Sequence, residues 1–392
     1  MWTQPLQPHE IERLNRWRRH LHSEPELSLV EVDTQAYLRG ELESIGITAT
    51  SVGQTGLMAA LGPADAERVL LVRADMDALP IEEQTGLPFA SKRRGCMHAC
   101  GHDTHMACLL AVAARLKAAE GELPLRVVLC FQPGEEDGRG AVKMIEAGAL
   151  DGRWCNDPGL KVQAALGLHI WSPLPTGVVS ACPGPVMATV DDFRTTVRGR
   201  GGHGALPHQA VDAIVAAAGV VQALQTLASR RIDPLDPVVV SIGSIHGGTT
   251  YNVIAEEVHM HGTVRSYSPE LAARLPSLLP EVAHLAAQAY GASAETIYSR
   301  YTIALHNDPA LAQMVAEVAE QTPGVAGVDR SMRMMAGEDF AYIAAEVPAC
   351  FFFVGCGGPE AAPHHSPRFV VDEKALPVAA EVMLRSIAAW AR

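Results

Sequence analysis

Ten residues, Met97 to Met106 (MHACGHDTHM), place a thiol and an imidazole two positions apart, Cys100 and His102, and surround them with His98, Asp103 and His105. Thiolate and imidazole are the side chains that hold zinc and its neighbouring transition ions. The run opens into the apolar, helix-patterned ACLLAVAARLKAAE, so it reads as one half of a metal site carried at a helix start. The remaining reactive residues lie far off in sequence. Asp75 and Asp77 follow the apolar run RVLLV, Glu135 and Glu136 follow RVVLCF, His169 follows AALGL, and His364 and His365 lie beyond FFFV.

Each of those runs is short, apolar and bounded by turn residues, the pattern of a buried strand in an α/β sheet. Ligands of open α/β sheets bind beyond the carboxyl ends of the strands, so the separate motifs are expected to converge on one cleft. Cys100, His102, Glu136, His169 and His365 are then the candidate ligands, more than a mononuclear catalytic zinc uses. Two divalent ions sharing a bridging ligand fit the set better; ions about 3.5–4 Å apart polarise a carbonyl and bring the pKa of a water towards neutrality. Adjacent carboxylates in a loop do not easily reach the same ion. Glu136 is therefore assigned as ligand and Glu135 as the general base, which takes a proton from the water and later delivers it to a leaving amine. Manganese, zinc, cobalt and nickel all suit these donors.

The elements that must position these groups alternate. Helical periodicity is expected over residues 9–21, 32–45, 104–119 and 377–390. Between about 186 and 301 the order becomes strand, helix, two strands, helix, strand: βαββαβ, a ferredoxin-like α+β unit. The expected architecture is an α/β sheet domain in two parts, 1–185 and 302–392, with this second domain, 186–301, inserted. A chain of 392 residues with 48% hydrophobic and 19% charged content can bury cores for both.

Other function classes are disfavoured. A formal net charge of −13 argues against a nucleic-acid partner. No run reaches about 18 uninterrupted apolar residues, and the N-terminal stretch is polar and basic, so no membrane role and a cytoplasmic location are expected. Eight cysteines show neither a small-scaffold disulfide spacing nor a CxxC pair, against a thiol redox protein. Apart from Cys100 they read as packing residues, and His98 and His105 as structural neighbours of the ligands.

Together RADMDALPIEE, MHACGHDTH, FQPGEEDGRGA, GLHIW, GRGGHGALPHQAVDAI, NVIAEEV to GTVRS, GEDF and HHSPRF resemble the aminoacylase and hippurate hydrolase family of metallopeptidase-type amidohydrolases, which includes auxin-conjugate hydrolases. The matches run in order along nearly the whole chain, HACGHD being the most distinctive. The resemblance implies a catalytic domain with two divalent metals, a lid domain that dimerises, giving a homodimer or tetramer, and hydrolysis of small N-acyl amino acids to a carboxylate and a free amino acid. It implies the same ligands and base, with Asp75 as a carboxylate that orients a ligand. It also implies that the lid residue His203 stabilises the oxyanion in the partner subunit's site, and that Asn252 and Arg265 hold the substrate.

Some positions depart from the family pattern. Asp137 and Arg139 stand where a glycine run is common. His364 takes a usually apolar place and leaves the choice between His364 and His365 open by one residue. Arg73 stands where distant exopeptidases carry a ligand histidine. The rival readings are a dipeptidase or carboxypeptidase and, from another class, a non-catalytic metal-binding protein, which would be expected to lack Glu135.

Overall fold

In the computed structural model, which describes residues 2–392, the fold is mixed α/β, built on an eight-stranded sheet. Its order is Thr50–Val52, Gly56–Leu61, Arg126–Gln132, Val69–Asp75, Ala164–Pro175, Ala349–Gly357, Val178–Ser180, Gly327–Asp329. The four strands from Arg126–Gln132 to Ala349–Gly357 are parallel and central. Val69–Asp75 is buried along its whole length, which is why its first four residues are apolar without alternation and its two charged residues, Arg73 and Asp75, pair with each other. The sequence reading found these central strands and missed the others. Thr50–Val52, Val178–Ser180 and Gly327–Asp329 are three residues long, too short to show a period, and Gly56–Leu61 is rich in glycine and alanine.

Helices Pro8–Ser23, Val32–Ser44, His102–Ala118, Pro309–Glu320 and Ala375–Trp390 pack as one connected layer. Helix His102–Ala118 is buried nearly all round over its first three turns, which accounts for the unbroken apolar run Met106–Ala113. At its start Arg18 Nε and His22 Nδ1 reach Asp103 Oδ2 at 2.8 and 2.9 Å, fastening Pro8–Ser23 to the turn that carries Cys100 and His102.

The chain divides into two compact units, the second comprising Pro185–Leu305 with Met334–Glu338. In this unit Val238–Gly247, Glu257–Ser266, Val190–Arg198 and Ser293–Thr302 form an antiparallel sheet in that order. Helices Ala213–Thr226 and Pro269–Gln288 share its core with Phe193, Val197, Met260 and Val264. The alternating burial of Val190–Arg198 shows that only one sheet face is covered. The return of Met334–Glu338 to this unit, through Met334 N to Val186 O at 3.0 Å, had no signal in the sequence.

The segment Ala213–Arg231 is long and apolar enough to cross a membrane. Its face of Ala213, Ala216, Ala217, Val220 and Leu224 is buried in the core of the second unit, while Ile214 and Val215 are exposed. Asp212 caps this helix, accepting from Ile214 N at 2.9 Å.

Candidate metal centre

Cys100 and His102 bracket Gly101, which sits at φ +91 and begins helix His102–Ala118. A side chain at Gly101 would be strained by that backbone and would meet Ile170 at 2.4 Å. The glycine therefore turns the chain tightly enough for both donors to face strand Ala164–Pro175. There His169 Nε2 lies 3.4 Å from Cys100 Sγ.

Two donor sets form. Cys100, His102 and His169 bring their ligand atoms within 4.8 Å of one another, and so do Cys100, Glu136 and His365. Cys100 belongs to both, as a bridging ligand must. Glu135 joins His102 and Glu136 in a further set, its Oε2 lying 4.0 Å from His102 Nε2. His365 reaches Glu136 Oε1 at 3.3 Å from a left-handed backbone, φ 64, held by its N–H to Ala99 O at 2.9 Å.

Ring orientation separates the histidines. His102 Nδ1 is 2.8 Å from the Asp77 carbonyl oxygen. A carbonyl only accepts, so Nδ1 carries the proton and the Nε2 lone pair is left; that nitrogen is buried without a hydrogen-bond partner. His169 Nδ1 donates to the Ile170 carbonyl in the same way. His105 has no free nitrogen, since Nδ1 holds Asp75 Oδ1 at 2.6 Å and Nε2 accepts from Ile170 N at 3.0 Å. His364 Nε2 accepts from Ser172 N at 3.1 Å and its ring stacks on Trp171. The structure thus brings His365, and not His364, to Cys100 and Glu136.

The electrostatics call for cations. Burial, Glu136, Glu135 and Asp75 all push the Cys100 thiol well above its usual range. Burial opposes a charge on His102, yet Asp75, Asp77 and Glu136 outweigh it and raise it to about 10, so a proton and a metal ion compete for the Nε2 lone pair. His169 moves the other way, held well below its ordinary value by burial and by His105 and His364. A buried thiol among carboxylates ionises only beside strong positive charge, and divalent cations supply it. The residues present fit two such ions.

Asp75, expected to orient a ligand, holds His105, and Arg73 explains its state. The guanidinium meets Asp75 Oδ2 at 2.7 Å and Asp339 Oδ1 at 3.0 Å, all three side chains fully buried. Arg73 therefore forms a buried ion bridge from Asp75 to Asp339 of the GEDF motif. Replacing Arg73 by Met leaves two buried carboxylates short of their partner and is expected to cost about 3–5 kcal/mol, read by denaturant unfolding of the metal-free protein. A loss under about 1 kcal/mol would show that the bridge contributes little to stability.

Asp77, two residues after Asp75 in RADMD, was expected near the cleft but was given no role from the sequence. Its contacts, to His102 and to the backbone of both glutamates, join segments distant in sequence and leave no local signal.

His203, Asn252 and Arg265 lie in the second unit. His203 and Asn252 line one hollow of about 610 Å³ with Gly201, Gly202 and Thr249. Arg265 is half-buried and spends its Nη1 on the Val264 and Asp191 carbonyls.

Residues 71–389 match Peptidase family M20/M25/M40. The chain is 39% identical over 381 residues to N-acetylcysteine deacetylase of Bacillus subtilis, covering 94% of each. It is 34% identical over 384 residues to thermostable carboxypeptidase 1 of Saccharolobus solfataricus, covering 95% of this chain and 94% of that protein. Among solved structures, the Bacillus subtilis YXEP protein, described as a dinuclear metal binding peptidase of the M20 family, superposes with a TM-score of 0.83 at 35% identity, covering 97% of this chain and 98% of that one.

Proposed function

The chain belongs to Peptidase family M20/M25/M40 and is a metal-dependent hydrolase of amide bonds; we propose that its substrates are N-acyl amino acids, cleaved to a carboxylate and a free amino acid. The observation that carries this reading is the pair of donor sets sharing Cys100, with the Glu135 carboxylate 4.0 Å from His102 Nε2. Cys100, His102, Glu136, His169 and His365 would hold two divalent ions, of manganese, zinc, cobalt or nickel. When bound, these supply Lewis acidity towards the substrate carbonyl and lower the pKa of a water. Glu135 takes a proton from the attacking water, keeps it at its carboxylate and hands it to the leaving nitrogen. Asp75, through His105 and Arg73, keeps the wall behind the ligands rigid.

The second unit is read as a ferredoxin-like lid and dimerisation domain, inserted over 186–301. His203 would donate to the developing oxyanion in a partner protomer's site, a role that rewards a positioned donor. Asn252 and Arg265 would hold the free carboxylate. An uncovered edge strand, Val238–Gly247, and the exposed side chains Tyr251, Ile214 and Val215 support a homodimer. Eight unpaired cysteines suit the reducing cytoplasm.

The carboxypeptidase reading shares this chemistry and is favoured by the names of two relatives, thermostable carboxypeptidases 1 and 2. One experiment separates them: amino-acid release from N-acetyl, N-benzoyl and N-indoleacetyl amino acids and from dipeptides, after chelation and refilling with each metal, with sedimentation of the same samples. Metal-dependent release from acylated amino acids by a dimer is expected. Release from dipeptides alone would move the assignment to a peptidase, and a fully active monomer would remove the role of His203.

A further inference from the structure

We infer that Asp77 and Glu31 form a two-carboxylate clamp on the Gly134–Glu136 turn, acting as positioning residues for Glu135; the inference rests on the reading of Glu135 as base. Three consecutive backbone N–H groups of that turn point inward. Gly134 N meets Glu31 Oε1 at 2.9 Å, Glu135 N meets Asp77 Oδ1 at 3.1 Å, and Glu136 N meets Asp77 Oδ2 at 2.9 Å. Successive N–H groups arranged in this way make an anion-binding concavity. Here the anions are two buried side chains of the chain itself.

Each jaw is anchored behind. The Ser28 hydroxyl donates to Asp77 Oδ2 at 2.6 Å, and Glu31 accepts from Leu29 N at 2.8 Å and from the Thr55 hydroxyl. Leu29 takes a left-handed backbone, φ 65, and its side chain fills the space where a Cβ on Gly134 would stand, 2.5 Å away. The clamp therefore ties residues 28–31, the end of strand Val69–Asp75 and the glutamate turn into one piece. An unclamped turn would let the Glu135 carboxylate wander, and a displacement of about 1 Å at a reacting group costs about a hundredfold in rate.

The two jaws differ in what they tolerate. Both Asp77 oxygens face N–H donors, so an asparagine must turn its own N–H₂ on one of the glutamate N–H groups. Glu31 faces N–H groups with one oxygen and a hydroxyl with the other. A hydroxyl can reverse and accept, so a glutamine fits there.

The test measures kcat, KM, metal per chain and Tm for Asp77→Asn, Glu31→Gln, Ser28→Ala, Glu135→Gln and the double variant Asp77→Asn/Glu135→Gln. Asp77→Asn is expected to lower kcat about 30–100-fold with KM within about threefold and both ions retained; Glu31→Gln loses only about 3–5-fold. On the Glu135→Gln background Asp77→Asn should add less than about threefold, because the residue it positions is already disabled. Asp77 also stands 3.4 Å from His102 Nδ1, so loss of metal in Asp77→Asn would route the effect through that ring and overturn the clamp. An unchanged kcat in Asp77→Asn, equal losses in both jaws, or a full multiplicative effect on Glu135→Gln would overturn it too. If Asp77→Asn does not fold, Ser28→Ala decides: a kcat loss of about 3–10-fold supports the clamp and no loss overturns it. A Glu135→Gln enzyme as fast as wild type would instead remove the base assignment, and the clamp with it.

Discussion

Glu135→Gln is expected to lower kcat by about 10²–10⁴-fold while KM and metal content stay at their wild-type values. Glutamine keeps the volume and the hydrogen-bonding of the side chain but cannot hold a proton from the attacking water. Because Glu135 joins His102 and Glu136 in a donor set without belonging to the two sets that share Cys100, its loss should leave both ions bound. The asymmetry between the adjacent glutamates is the point of the test. Glu136→Gln removes a member of the Cys100, Glu136, His365 set and should lose an ion as well as activity. If Glu135→Gln loses metal and Glu136→Gln does not, the two roles are exchanged. The measurement is steady-state kinetics with metal counted on the same protein.

Cys100→Ala should have the second large effect, and a different one. Both donor sets contain its sulfur, so removing it breaks both. Metal content is expected to fall from two ions per chain to fewer than one, with activity down by at least about 10³-fold, since loss of the metals removes the Lewis acid and the base's substrate together. His365→Ala, which breaks only one set, should keep one ion. Serine at position 100 should not rescue, because a hydroxyl neither ionises as readily nor binds soft ions as a thiolate does. Equal metal loss in Cys100→Ala and His365→Ala would show that the sulfur is not shared. Either result can be read by metal analysis without a substrate in hand.

The fold was legible where burial imposes a composition. The runs Val69–Val72 and Val127–Phe131, buried in the centre of the sheet, are apolar without alternation, and Met106–Ala113 of helix His102–Ala118 shows the same necessity. Short strands and the return of Met334–Glu338 were not legible, because a three-residue strand is held by its neighbours' hydrogen bonds rather than by its own pattern. The same division runs through the candidate site. Cys100, Glu135 and Glu136 could be named from type and spacing, because thiolate binding and proton transfer each demand particular side chains.

What the sequence alone determined is therefore the inventory: the donors, the carboxylate pair beside them, and the strands whose ends present them. Tertiary structure decided which donors are free to act. His102 keeps a lone pair because Asp77, 25 residues away, offers its carbonyl to the other nitrogen. His105, three residues on, has none left because Asp75 and the Ile170 N–H take both. His364 turns into the packing and His365 towards Glu136, although they are identical neighbours. The physical reason is that an imidazole's chemistry is set by the partner of its second nitrogen, and that partner comes from a segment the local sequence does not contain.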